Sequence, residues 1–70
     1  MTNNKGNKMN NNEIDTILDD MELCREDIIF MVNNYRMLDA IDIMWDNHCV
    51  GSVTYETFEN VVTTVWDNRG

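Results

Sequence analysis

The chain has 70 residues, 13 of them acidic and 5 basic, for a formal net charge of −8 at pH 7. That length is one small domain with little room for a pocket beside its core, and the charge opposes both nucleic-acid phosphates and anionic membrane surfaces. Direct DNA or RNA binding is therefore not expected, and neither is membrane association, since no apolar run approaches the roughly 20 residues that span a bilayer.

Residues 1–12 hold Lys5, Lys8, six asparagines and no acid, a composition that reads as a disordered tail. Residues 13–70 form the expected single domain; they hold all 13 acids against Arg25, Arg36 and Arg69, a charge of −10. The N-terminus lacks the apolar core of a signal peptide, which points to the cytoplasm of the producing or host cell. In that compartment Cys24 and Cys49 are expected to be free thiols.

From Glu13 the apolar residues Ile14, Ile17, Leu18, Met21, Cys24, Ile28, Val32 and Tyr35 keep helical spacing without a phase break. One helix over residues 13–34 is the simplest reading, capped by Asn12, with a kink at residues 20–23 as the alternative. Leu23 and Phe30 fall off this stripe and align with each other seven residues apart, making them a candidate apolar interface. Residues 36–46 form a second helix with apolar residues nearly all round, including Leu38, Ala40, Ile41, Ile43, Met44 and Trp45, which suits the centre of a core. Residues 47–53 connect it onward, with Gly51 the expected site of a turn or left-handed conformation. Thr54 then caps a last helix over residues 55–67, with Val53 and Phe58 at hydrophobic-staple spacing. Residues 61–65 are β-branched and have strand propensity, but lack the alternation of a strand.

The expected fold is therefore all-α: a small three-helix bundle with a disordered N-terminal tail. Its expected core is Ile14, Ile17, Leu18, Met21, Ile28, Val32, Leu38, Ile41, Trp45, Phe58, Val61, Val62, Val65 and Trp66.

Residues 45–58 run from an apolar helix through a loop with a central glycine into a helix that opens near an aromatic. This segment resembles a degenerate EF-hand. With Asp46 at the first loop position, Gly51 falls at the sixth, where the resemblance places the sharp turn. The third, fifth and twelfth positions are His48, Val50 and Thr57, which cannot supply the six to eight oxygens calcium takes. The resemblance thus implies a helix-loop-helix scaffold that does not bind calcium.

No cofactor is expected. His48, Cys49 and Cys24 lack the spacing of a zinc site. The single histidine is flanked by Cys49, but adjacent side chains usually point apart, so a Cys–His pair is poorly placed. With three glycines in the chain there is no phosphate-binding loop. Catalysis is accordingly not expected.

What remains is macromolecular recognition. Asp15, Asp19, Asp20, Glu22, Glu26 and Asp27 form the acidic face of the expected first helix, with Arg25 the only base among them, suited to a protein partner with a basic surface. The expected function is a small inhibitor or adaptor that occludes such a site, in the manner of virus- or mobile-element-encoded proteins that mimic the charge of DNA. The alternative is a structural or assembly subunit of a homo-oligomer, and a weaker one, implied by the EF-hand resemblance, is a helix-loop-helix regulator that does not bind calcium. Homodimerisation through Leu23 and Phe30 is expected because so short a chain gains stability from a partner.

Overall fold

The computed structural model describes residues 9–69, which form four helices and no strand. They are α1 (Asn11–Met21), α2 (Arg25–Asn34), α3 (Met37–His48) and α4 (Tyr55–Asp67). The all-α class stands, but the bundle has four helices, because the expected first helix is two. The disorder expected of residues 1–12 falls, for residues 1–8, outside the described residues. Order begins earlier than Asn12: Asn10 caps α1 in a reciprocal box with Glu13, its side chain accepting from the Glu13 amide at 2.8 Å, and Met9 packs against the core.

The break between α1 and α2 is built by the backbone. Glu22 takes a left-handed conformation, φ 59° and ψ 42°. The Leu23 amide donates to the Leu18 carbonyl at 2.9 Å and the Glu22 amide to that of Asp19 at 3.1 Å. This crossed pair of bonds is a Schellman ending, which usually places glycine where Glu22 stands. After it Cys24 starts α2 in extended conformation, without a side-chain cap.

The other boundaries follow the sequence closely. Tyr35 and Arg36 alone separate α2 from α3. Thr54 caps α4, accepting from the Thr57 amide at 3.1 Å, and both staple residues, Val53 and Phe58, are buried. The β-branched run stays helical because Val61, Val62 and Val65 are buried at the centre of the molecule. Burial of large apolar side chains contributes about 1.5–3 kcal/mol each, against strand preferences that span only about 1 kcal/mol.

Helices α2, α3 and α4 pack on one another pairwise, and α1 adds Ile14, Leu18 and Met21 to their shared core. Ten of the fourteen expected core residues are buried; Ile17, Trp45 and Trp66 are half-buried against the core, and Leu38 is exposed. Leu38 lies about 160° and about 120° round α3 from Ala40 and Met44, whose side the neighbouring helices cover instead. Ala40, Met44 and Val53 complete the apolar core, with Thr64 as a buried polar residue. α3 is thus not enclosed all round: Leu38 and Ile43 reach solvent.

Candidate functional site

Breaking the first helix redistributes the acidic run. Asp15, Asp19 and Asp20 ride on α1, Glu22 is its cap, and Glu26 and Asp27 open α2. All six are exposed. Three have roles inside the molecule. Asp15 takes a 2.8 Å ion pair with Arg25 across the corner, while Glu26 and Asp27 sit in the first turn of α2, where the helix dipole favours negative charge.

The other three do the opposite. Asp19, Asp20 and Glu22 crowd the C-terminal end of α1, where the dipole is itself negative, and that last turn holds no base. None of them forms an ion pair among the described residues. Help arrives from α3: His48 Nδ1 lies 3.0 Å from the Met21 carbonyl oxygen and donates to it.

Next to this corner α2 and α3 enclose an open groove of about 520 Å³. Its apolar walls are Leu23, Phe30, Met31 and Tyr35 on one side and Ile43 and Met44 on the other, with Asp27, Asn47 and His48 as its polar residues. Leu23 and Phe30, the candidate interface, therefore share one surface, although Leu23 is half-buried and Phe30 is 63% exposed. Tyr35 and Ile43, which the sequence placed on apolar helix surfaces but not in the interface, widen it. The signal for Ile43 was the apolar surface nearly all round α3, which the neighbouring helices do not fully cover.

The groove is poorly equipped for covalent chemistry. Asp27 and His48 line it without a hydrogen bond or ion pair between them. Cys24 and Cys49 are free, exposed and outside its lining. No cluster of three potential metal-ligating side chains occurs among the described residues, and no described helix is long and apolar enough to cross a membrane.

The segment that resembles an EF-hand joins two helices as expected, but α3 continues through Asp46 to His48, leaving residues 49–54 as the connection. Gly51 lies in a turn, one of the two conformations expected of it, with a φ outside the left-handed region, and a Cβ there would meet nothing within 4 Å. Beyond this loop the Tyr55 hydroxyl donates to the Asp42 carboxylate. That bond, with minor desolvation and the charges of Asp42 and Glu59, pushes the phenol from 10.0 up to about 12. Trp45 fills the space between, edge-on to Tyr55 at 5.7 Å and tilted against Phe58 at 5.8 Å.

Comparison with protein families, curated proteins and solved structures gives no match to this chain. The site's own chemistry is the basis for assigning a function.

Proposed function

We propose that the chain is a non-enzymatic, acidic protein-binding module, an inhibitor or adaptor that covers a basic site on a partner protein in the cytoplasm. The observation that supports this is the placement of Asp19, Asp20 and Glu22 at the wrong end of α1. Acids there oppose the helix dipole by roughly 0.3–1 kcal/mol each, and none of the three forms an ion pair among the described residues. A cationic partner surface would turn that internal cost into binding energy and speed the encounter at low salt.

The test is a bait carrying Asp19→Lys and Asp20→Lys, used beside the wild-type chain to capture partners from the producing or host cell. The variant should melt higher, because both changes favour the end of α1, yet lose the partner. Wild-type affinity should fall steeply from low to physiological salt. Retention of the partner by the variant, or affinity flat with salt, overturns the reading.

A second reading, an assembly subunit or homodimer, draws support from Phe30 and Leu38, which are 63% and 62% exposed. Light scattering after size exclusion checks it: a dimer that Phe30→Glu converts to a folded monomer would favour it over a monomeric inhibitor.

A further inference from the structure

We infer that the groove between α2 and α3 receives a basic amphipathic helix of the partner. This rests on the acidic-module reading and adds the shape of the ligand. The groove follows α2, ten residues and so about 15 Å long, nearly three turns of a docked helix. Its apolar walls suit side chains spaced at i, i+3 or i+4, and i+7, the spacing of a helix seated in a groove. Met31, half-buried, supplies flexible, polarizable contact surface of the kind found at adaptable binding sites, over the buried Met44.

Charge selects among possible occupants. Asp27 lines the groove itself. Glu26 lies about 40° outward of Phe30 on α2, and Asp39 and Asp46 about 40° and 60° outward of Ile43 on α3. All three are exposed. At the open end the His48–Met21 hydrogen bond ties the last turn of α1 to a residue of the groove. The bases nearest along the chain are Arg25, which is paired with Asp15, and Arg36, at the turn that closes the other end. A helix with an apolar stripe flanked by Lys or Arg would meet opposite charge on both walls. A second copy of this chain would bring acid against acid over residues that carry −10, so the second copy is the disfavoured occupant.

Three synthetic peptides, each of roughly 18 residues, form the probe set. One is a leucine–lysine peptide with leucines at helical spacing; one has the same composition scrambled to remove the stripe; one keeps the stripe but replaces lysine with glutamate. Amide chemical shifts of the full chain locate binding, and calorimetry measures it. The striped basic peptide should shift Leu23, Phe30, Met31, Ile43 and Asn47, and bind at least about tenfold more tightly than the other two. Phe30→Ala, at an exposed position outside the core, should weaken it by a similar factor while leaving the spectrum of a folded protein. Equal binding by the scrambled basic peptide, with shifts centred on Asp19 and Asp20, overturns the groove and leaves the acidic-module reading standing. Equal binding by the acidic striped peptide overturns the charge argument in both. Failure of both basic peptides to bind overturns both. Concentration-dependent shifts of the groove residues without peptide would assign the groove to a second copy and overturn the inference.

Discussion

Two of the three connections between helices are made by opposite means. Between α1 and α2 the backbone turns left-handed at Glu22, a residue with a full side chain. Between α3 and α4 the loop contains Gly51, which neither adopts that conformation nor makes room for a close neighbour. The demanding geometry thus lacks glycine, and the glycine lacks a demanding geometry. The packing required of Leu18, Met21 and Leu23 places the first turn, and the corner tolerates the strain because those contacts outweigh it.

The largest test of that contrast is truncation at the two corners. Met21 is buried beside the α1 turn and Val53 within the other loop. Met21→Ala should cost about 2–5 kcal/mol, and Val53→Ala about 1.5 kcal/mol from the two carbons removed, measured by urea unfolding. A larger loss at Val53 would mean that the α3–α4 loop is the more constrained turn.

His48→Ala removes the donor to the Met21 carbonyl and should destabilise by about 1 kcal/mol, the net value of one hydrogen bond. Its amide shifts should change at Glu22 and Leu23, with little change at Gly51.

A smaller pair of changes sharpens the comparison in sign. Glu22→Gly should stabilise by roughly 0.5–1 kcal/mol, since it relieves a left-handed residue with a Cβ and removes an acid from the end of α1. Gly51→Ala should stabilise by about 0.4–1 kcal/mol through the unfolded chain, because the added methyl group meets open space. Destabilisation by Gly51→Ala in thermal melts would contradict the geometry of that loop.

The smallest effect concerns Tyr55. Its raised value means that the folded state holds the phenolic proton more tightly than the unfolded one. The associated stability is complete below pH 10 and is lost as pH climbs toward about 12. In a Tyr35→Phe background, ultraviolet titration should follow Tyr55 alone, and adding Asp42→Asn should lower its midpoint.

The same contrast explains what the sequence disclosed. α4 was legible to its bounds, because Thr54, the Val53–Phe58 staple and a single apolar stripe agree with one another. The corner at Glu22 lay within the alternative reading, a kink at residues 20–23, and ranked second because Ile17, Leu18, Met21, Cys24 and Ile28 keep helical spacing straight through it, and Glu and Leu are ordinary helix formers. Leu23 carried the signal. Its misfit with the stripe beginning at Ile14 came from the break, and its five-residue distance from Leu18 is the spacing of the Schellman contact. The acidic run was visible as composition, but which acids serve the fold depended on where one helix ends and the next begins.

The attachment of α1 has a consequence for local opening. α1 joins the bundle mainly through three buried side chains, the His48 bond and the exposed Asp15–Arg25 ion pair, whereas α2, α3 and α4 also approach one another closely along their backbones. α1 is therefore the unit with the cheapest route off the molecule, opening below the free energy of global unfolding. Native-state hydrogen exchange should show its amides leaving as a group with a shallow denaturant dependence, while amides around Val61 and Val62 exchange only with the whole domain. A partner that grips Asp19 and Asp20 would slow the first class selectively, so exchange in α1 would report occupancy while the global stability is measured separately in α4.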